Sequence, residues 1–213
     1  METEILRISD VAGQRTAVER AAGLLRQGQL VVFPTETVYG IGALGLDRAA
    51  VGALYEAKNR PVSKAFSLQV AEIAMVSQVA AYVPRQARLL MEKFCPGPVT
   101  VVLPKAAAVP YEVTGGRDTV GIRIPAHPVA LALLKAVGKP LAVPSANISG
   151  HTSPLSAQDV YADMAGRLPL ILDGGVCSVG VESTIVDYTG SQIKILRHGA
   201  ISEAEIRAAI EEV

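Results

Sequence analysis

The sequence contains no tryptophan, and aromatic residues make up only 4% of its 213 residues. Hydrophobic residues nevertheless make up 50%, so a chain of this length can bury one sizeable core. That core must be built from Ala, Val, Leu and Ile, which suits helices packed on a sheet. The shortage of rings also disfavours a single-strand nucleic-acid binder, because such proteins stack bases on aromatic side chains.

Neither sign of charge is in excess, since 20 Lys and Arg residues balance 20 Asp and Glu residues. The chain is therefore not an obvious polyanion binder, although a local basic patch remains open. Cysteine is equally scarce. Cys95 and Cys177 lie far apart and no C-x-x-C occurs, which argues against a zinc site and a disulfide framework. We expect two buried free thiols.

Long apolar runs are missing as well. No stretch approaches the roughly 20 uninterrupted apolar residues of a membrane-spanning helix. The first ten residues, METEILRISD, carry acids and no long apolar run, so they do not predict a signal peptide. Linkers, internal repeats and low-complexity tracts are also absent. We therefore predict a single domain over residues 1–213, without a membrane span and located in the cytoplasm.

The common catalytic motifs are absent. No G-x-S-x-G nucleophile elbow occurs, and His127, His151 and His198 form no readable Ser/His/Asp arrangement. No G-x-x-x-x-G-K-[ST] loop occurs, so the chain is not a P-loop ATPase. The remaining polar residues are suited to binding, orienting and neutralising charge, which is how phosphoryl and adenylyl transfer is largely catalysed.

Hydrophobic periodicity predicts a mixture of helices and strands. The predicted helices are VERAAGLLRQ, DRAAVGALYEAKNR, VPRQARLLMEKF, HPVALALLKAVG, residues 156–164 and SEAEIRAAIEEV. Asp47 can cap the second of these helices, and Ser202 with Glu205 forms a capping box at the last. The predicted strands are LVVFP, AFSLQV, VTVVLP, VGIRIP, PLAV, LPLILDGG, STIVDYT and IKILRHG. Because strands and helices do not alternate strictly, we predict an α/β fold with a mixed, twisted sheet.

A short apolar strand ending in polar residues recurs along the chain. It occurs at residues 34–37, 58–64, 123, 144–147 and 182–184. In open α/β sheets, ligands bind where strand ends and loops gather, so the set predicts one shared pocket. Taken singly, each of these polar segments is more simply explained as a turn or a helix cap.

Two of the polar segments carry groups suited to an anionic ligand. Lys58, Arg60 and Lys64 place three cations within seven residues, as a polyphosphate clamp requires. The same cations are equally typical of a solvated helix end. Ser145 and Asn147 lie two residues apart, so in an extended chain both can donate to one ligand.

Arg123 lies inside an apolar strand, between Ile122 and Ile124. A buried and unpaired guanidinium is costly, so Arg123 must face a partner or a wet cavity. One explanation is the carboxylate or phosphate of a ligand. The other is an internal partner such as Glu36 or Glu182.

Several longer motifs occur in a fixed order, namely GQLVVFPTETVYGIG, KNRPVSK, PGPVTVVLP, VGIRIPAHP, PSANISG, ESTIVD and ILRHGAIS. In this order they resemble the YrdC-type threonylcarbamoyl-AMP synthases. The resemblance extends from about Gly28 to Ser202, which is nearly the whole chain. It implies a single YrdC-like α/β domain with a twisted, partly open sheet and a positively charged concave face.

The resemblance implies a synthase that converts L-threonine, bicarbonate and ATP, with Mg²⁺ accompanying the ATP, to threonylcarbamoyl-adenylate and pyrophosphate. A tRNA threonylcarbamoyl-transferase machinery would then receive the intermediate. Two alternatives remain: a non-catalytic protein that binds double-stranded RNA or the ribosome, and a paralogue with a changed substrate. A deep pocket around Arg123 would favour an enzyme, whereas cations spread over an open face would favour RNA binding.

The resemblance also implies roles for individual residues. Lys58 and Arg60 match a K-x-R motif and are implied to be catalytic and to bind the nucleotide. The other implied nucleotide ligands are Lys64, Thr119, Ser145, Asn147, Ser153 and Arg197. The implied L-threonine ligands are Thr35, Ser67, Arg123 and Ser183. The sequence departs from the family at two points. Many relatives have a histidine near the threonine where Ser67 or Gln69 stands here, and relatives commonly have a proline where His198 stands.

Overall fold

A computed structural model describes residues 2–8, 11–190 and 192–211 of the chain. Within these residues the strands are β1 (Glu4–Arg7), β2 (Val31–Phe33), β3 (Gly40–Leu44), β4 (Ser67–Gln69), β5 (Val99–Pro104), β6 (Thr119–Arg123), β7 (Leu141–Ala142), β8 (Leu170–Asp173), β9 (Thr184–Asp187) and β10 (Lys194–Arg197). The helices are α1 (Val11–Arg26), α2 (Arg48–Lys58), α3 (Arg85–Phe94), α4 (Tyr111–Thr114), α5 (Pro128–Val137), α6 (Ala157–Met164) and α7 (Glu203–Glu211). A 3-10 helix spans Ile73–Gln78.

The strands form one open sheet in the order β1-β8-β2-β3-β7-β4-β6-β5-β9-β10. Four neighbouring pairs are parallel: β1 with β8, β8 with β2, β4 with β6, and β5 with β9. The other five pairs are antiparallel. The predicted fold class, a mixed and partly open sheet flanked by helices, is therefore confirmed.

Local capping sets the ends of several helices. The Asp47 carboxylate accepts hydrogen bonds from the amides of Ala49 and Ala50 at the start of α2, as the sequence predicts. Asn59, in the left-handed region at φ 48°, ends the same helix. At α7 the predicted capping box is confirmed, because Glu205 Oε2 accepts a hydrogen bond from the Ser202 amide.

The central strands bury one face in the core and leave the other for a cavity. Leu68, Val101, Ile122 and Val186 are fully buried on β4, β5, β6 and β9. Their neighbours along each strand point to the opposite face, because side chains alternate along a strand. Around the sheet, α1 packs on α5, α2 packs on β3, and α3 packs on α7.

The clearest departure from the predicted elements is β3. Its sequence, GIGAL, reads as a glycine-rich loop, yet all five residues are buried. A Cβ at Gly42 would lie 2.8 Å from Cε1 of Phe33, so close packing against β2 requires the glycine. β1 and α4 are also additional to the predicted elements. The last two residues of the predicted C-terminal helix, 212 and 213, lie outside the described part of the chain.

Both cysteines are free, as expected, with Cys177 buried and Cys95 partly buried. Burial raises the pKa of each thiol to about 11, so both are protonated near neutral pH. Among the described residues, no helix combines the length and the apolar character that crossing a membrane requires.

Candidate functional site

The outer face of the central strands forms the floor of a cavity of about 180 Å³. Ser67 and Gln69 of β4, Thr100 of β5 and Arg123 of β6 line this floor. Gly121 pairs in register with Ser67, and a Cβ there would lie 2.9 Å from Ser67 Oγ. The glycine therefore keeps the floor open between the polar side chains.

All five polar segments predicted to share a pocket reach this cavity. The contributed residues are Thr35, Thr37, Arg60, Arg123, Pro144, Ser145, Glu182 and Ser183. The prediction of one shared site is thus confirmed. Strand-end reasoning accounts for these residues but not for Thr100, which lies inside β5 and reaches the cavity through the pleat of the sheet.

Arg123 is 6% exposed and has an internal partner as well as a surface in the cavity. Its Nη2 lies 2.8 Å from Glu36 Oε1 and donates a hydrogen bond to Thr37 Oγ1 at 2.8 Å. Its Nε donates to the Gly97 carbonyl at 3.3 Å. Of the two carboxylates considered as partners, the structure thus selects Glu36. Nη1 has no hydrogen bond with any described residue, so its two N–H groups remain for a ligand.

Arg197 organises a second polar cluster on the cavity wall. Its Nη1 forms an ion pair with Glu182 Oε2, and its Nη2 donates to Ser183 Oγ at 3.0 Å. The Ser183 hydroxyl also lies 2.8 Å from Thr100 Oγ1. Burial lowers the pKa of the Arg197 guanidinium below its ordinary value, while the charge of Glu182 opposes that shift. This network holds Ser183 firmly beside the cavity.

Arg60 differs from the other two arginines at the cavity. Its Nε and Nη2 donate to the carbonyls of Lys64 and Ala65 at 3.1 and 2.9 Å, and its guanidinium lies 5.1 Å from the centre of the Phe66 ring. Burial lowers the pKa of Arg60, although an arginine remains charged. Within the described residues it forms no ion pair, so its positive charge is available to an anion.

Lys58 lies behind the cavity wall and is 1% exposed. Its ammonium donates to the Ser145 carbonyl at 2.5 Å and to the Asn147 carbonyl. Its own carbonyl accepts a hydrogen bond from the Ser149 amide at 2.8 Å. Burial, followed by the positive charge of Arg60, lowers the pKa of Lys58 to about 7. Lys58 thus fastens the end of α2 to the loop that carries Ser145.

Thr35 stabilises a compact turn in the first polar segment, residues 34–37. Its hydroxyl donates to the Val38 carbonyl at 2.7 Å and lies 2.9 Å from Thr37 Oγ1. The amides of Thr37 and Val38 donate to the same hydroxyl oxygen. These bonds place both threonine side chains against the cavity beside Arg123.

Asn147 and Ser153, both implied nucleotide ligands, do not line the cavity. Asn147 Nδ2 donates to the carbonyls of Ile148 and His151, while its Oδ1 is buried without a partner. Ser153 Oγ donates to Glu182 Oε1 at 2.9 Å. Both side chains support the walls of the cavity in this arrangement, and their nucleotide contacts stay predictions.

Lys64 and Thr119 also lie outside the cavity lining. Lys64 is exposed, four residues after Arg60, and its nucleotide contact stays a prediction. Thr119 opens β6 opposite Pro104 and lies two alternations before Arg123. The strand therefore brings Arg123 into the site and leaves Thr119 at its far end.

Thr37, Thr100 and Gln69 line the cavity although no role was predicted for them. Thr100 carried a readable signal, because it is the one hydroxyl residue in the apolar strand VTVVLP. Gln69 was recognisable in the same way, because it is the one amide residue in the predicted strand AFSLQV. Thr37 is indistinguishable from an ordinary turn residue until the fold brings it against Arg123.

The fold and the cavity together define an α/β protein with a polar cavity over the face of its sheet. The profile of the Sua5/YciO/YrdC family, described as telomere recombination, matches residues 23–199. The chain belongs to this family.

Two curated relatives carry the name threonylcarbamoyl-AMP synthase. The protein from Pyrococcus abyssi is 46% identical over 193 residues, which cover 91% of this chain and 57% of the relative. The protein from Bacillus subtilis is 43% identical over 194 residues, which cover 91% of this chain and 56% of the relative. The chain thus spans a little over half the length of these relatives.

A solved structure of P. abyssi Sua5 complexed with L-threonine superposes with a TM-score of 0.95 at 43% identity. The match covers 99% of this chain and 62% of that one. The fold described above is therefore that of an established Sua5 structure.

Proposed function

We propose that the chain carries the synthase site that forms threonylcarbamoyl-adenylate from L-threonine, bicarbonate and ATP. Three facts support the proposal: the family, the relatives named threonylcarbamoyl-AMP synthase, and the L-threonine complex of P. abyssi Sua5. The observation that carries it is the division of the cavity into two chemically different ends.

Arg60 lies near the start of β4, at one end of the cavity floor, where it donates to the carbonyls of Lys64 and Ala65 and forms no ion pair with a described residue. Gln69 and Arg123 lie in register at the other ends of β4 and β6, where both side chains are buried. The first end suits a phosphate, and the second suits a small amino acid with its own carboxylate. A volume of about 180 Å³ is below the range of about 300–1,000 Å³ for drug-sized ligands, so a nucleotide would extend beyond the cavity.

In the proposed reaction, the threonine amine attacks the carbon of bicarbonate and water leaves, which gives a carbamate. A carbamate oxygen then attacks the α-phosphorus of ATP, and pyrophosphate leaves, so the overall products are threonylcarbamoyl-adenylate, pyrophosphate and water. Arg60 would stabilise the charge that develops on the phosphates. Such a reaction needs no protein nucleophile, in keeping with the absence of a nucleophile elbow.

Mg²⁺ would enter with ATP as part of the substrate. Among the described residues, no group of three His, Cys, Asp or Glu side chains is placed to hold a metal ion. Glu182, which lines the cavity, pairs with Arg197, and Glu36 pairs with the cavity residue Arg123. Phosphate oxygens and water would therefore supply most of the Mg²⁺ ligands, as is common for ATP. Cytoplasmic location and transfer of the product to a tRNA threonylcarbamoyl-transferase machinery belong to the same proposal.

The alternative of a non-catalytic RNA-binding protein is not favoured. It requires cations spread over an open face, whereas Arg123 is buried within the cavity and paired with Glu36. A paralogue with a changed substrate would differ only in which amino acid binds at the end of the cavity that holds Gln69 and Arg123. The amino-acid requirement of the reaction therefore separates these proposals.

The decisive experiment measures pyrophosphate release from ATP with and without bicarbonate, comparing L-threonine with L-serine, glycine and no amino acid. We expect release to require both bicarbonate and L-threonine. Arg60→Ala should lower kcat/KM for ATP by about 100-fold, the effect of removing one or two charge-assisted hydrogen bonds. Arg207→Ala is the matched control, because this cation is exposed on α7, away from the cavity, and forms an ion pair with Glu203.

A folded, ATP-binding chain without threonine-dependent release would contradict the synthase. Release with another amino acid would establish the changed-substrate paralogue. An Arg60→Ala variant as active as the wild type would remove Arg60 from the nucleotide end.

A further inference from the structure

Glu182 is the one carboxylate among the described residues that line the cavity. The other charged side chains of that described lining are three arginines, and it includes no histidine, lysine or cysteine. An arginine stays protonated in a protein, and hydroxyl and amide groups do not take up a proton near neutral pH. Glu182 is therefore the one side chain of the described lining that can accept a proton from a ligand.

The Glu182 carboxylate has acceptor capacity left. Its Oε1 accepts a hydrogen bond from Ser153 Oγ at 2.9 Å, and its Oε2 pairs with Arg197 Nη1. An ionised carboxylate offers about four lone-pair sites, so about two of them remain. The side chain is 36% exposed and the residue lines the cavity, so a ligand there can reach the carboxylate.

The charged groups that act on Glu182 come from two sides of the cavity. Arg197 faces it from β10, and Lys58 and Arg60 act on it from the end of α2. Burial lowers the pKa of Lys58 and of Arg60, and the negative charge of Glu182 opposes both shifts. The same negative charge repels every anion that enters the cavity. A carboxylate in this place is thus expected to have a function that offsets the repulsion.

The proposed reaction supplies such a function, because it releases a proton. The α-amine of an amino acid is largely protonated near neutral pH, and an ammonium has no lone pair with which to attack bicarbonate. Forming a carbamate and water from an ammonium and bicarbonate leaves one proton over. That proton needs an acceptor beside the amine before the carbon–nitrogen bond forms.

We propose that Glu182 is the catalytic base that takes this proton from the ammonium of the amino-acid substrate. One N–H bond breaks, the proton moves to a free lone pair of the carboxylate, and the nitrogen keeps the electron pair. The nitrogen then bonds to the bicarbonate carbon, and the hydroxide of bicarbonate leaves as water with a second proton from the nitrogen. Glu182 afterwards releases its proton to solvent. The inference rests on the proposed function for the identity of the substrates.

The test compares Glu182→Gln with the wild type in pyrophosphate release at saturating L-threonine, bicarbonate and ATP. Glutamine keeps the shape of the side chain and can still accept a hydrogen bond from Arg197, but it takes up no proton. We expect kcat at pH 8 to fall by about 100-fold, as for a lost general base, and KM for L-threonine to rise by no more than about 10-fold. A loss confined to KM would show that Glu182 only binds the ammonium and would overturn its catalytic role.

The pH dependence separates a base from a structural residue. Between pH 8 and 9.5 the substrate amine increasingly loses its proton to solvent, so the ratio of wild-type to Glu182→Gln kcat should shrink as the pH rises. Lys58 is mostly neutral throughout this range, because its pKa is about 7 and removing the charge of Glu182 lowers it further. Glu182→Asp keeps a carboxylate and should keep the wild-type pH dependence at a lower rate. A ratio that stays constant with pH would overturn the assignment.

Glu203→Gln is the matched control, because it makes the same substitution at a carboxylate that pairs with an arginine on α7, away from the cavity. It should keep the wild-type kcat at every pH. Wild-type protein without threonine-dependent pyrophosphate release would overturn the proposed function itself. Equal kcat for the wild type and Glu182→Gln would overturn only the role of Glu182.

Discussion

At the scale of the residue, Lys58 shows how burial changes what a motif residue does. As part of a K-x-R motif it is expected to meet phosphate, yet its ammonium binds two backbone carbonyls behind the cavity wall. Burial lowers its pKa to about 7, far below the ordinary value for lysine. The charge of Lys58 is therefore variable near neutral pH, whereas that of Arg60 is fixed.

This difference predicts a pH-dependent stability. Between pH 7 and 10 the unfolded chain keeps a proton on Lys58 that the folded protein has lost, so the free energy of unfolding rises with pH. We expect wild-type stability to gain up to about 1 kcal/mol per pH unit from Lys58 above pH 7. Lys58→Met should lose this gain. Urea unfolding between pH 6 and 8.5 measures it, and the difference between the wild type and Lys58→Met isolates Lys58 because both proteins carry the same two thiols.

Lys135→Met is the matched control, because the same substitution is made at an exposed position of α5. It should keep the wild-type dependence on pH. Equal pH slopes for the wild type and Lys58→Met would contradict a depressed pKa at Lys58.

At the scale of the element, local chemistry fixes most helix ends. Asp47 at the start of α2 and the Ser202–Glu205 box at α7 act within four residues, so the sequence predicts them correctly. β3 is different. Its glycines signal a loop, and only contact with Phe33 explains why they lie in a buried strand. A pattern that depends on distant neighbours is not readable from the segment alone.

The turn after β10 shows the same dependence. A Cβ at Gly199 would lie 2.3 Å from the Glu182 carbonyl oxygen and 2.5 Å from the Ser183 carbonyl carbon. Gly199→Ala should destabilise the protein by about 2 kcal/mol through overpacking and should displace Ser183 at the cavity. Gly52 in α2 meets nothing within 4 Å, so Gly52→Ala should instead stabilise the protein by about 0.5–1 kcal/mol.

Urea unfolding of both variants measures the contrast, and L-threonine binding reports the state of Ser183. A Gly199→Ala protein as stable as the wild type would show that this turn can move away from residues 182–184 at little cost.

At the scale of the whole molecule, a formal net charge of zero weakens non-specific attraction to nucleic acid. The cations at the cavity are few, and two of the three arginines there pair with carboxylates. We expect no binding of a 20-base-pair RNA duplex below about 100 µM at physiological salt. A fluorescence-anisotropy titration, repeated at low salt, measures this. Tight binding with a steep salt dependence, lost on charge reversal at Arg60 and Lys64, would favour the RNA-binding alternative.

The sequence by itself determined the fold class, most helix boundaries, the family and the five polar segments that share the cavity. Those features depend on hydrogen bonds and periodicity within a few residues, or on motifs that survive in order along the chain. Only the tertiary structure decided that Glu36 neutralises Arg123, that Lys58 turns away from the cavity, and that Gln69 stands beside Arg123 without a partner. The physical reason is that pairing between distant segments follows from strand register and core packing, which no single segment encodes.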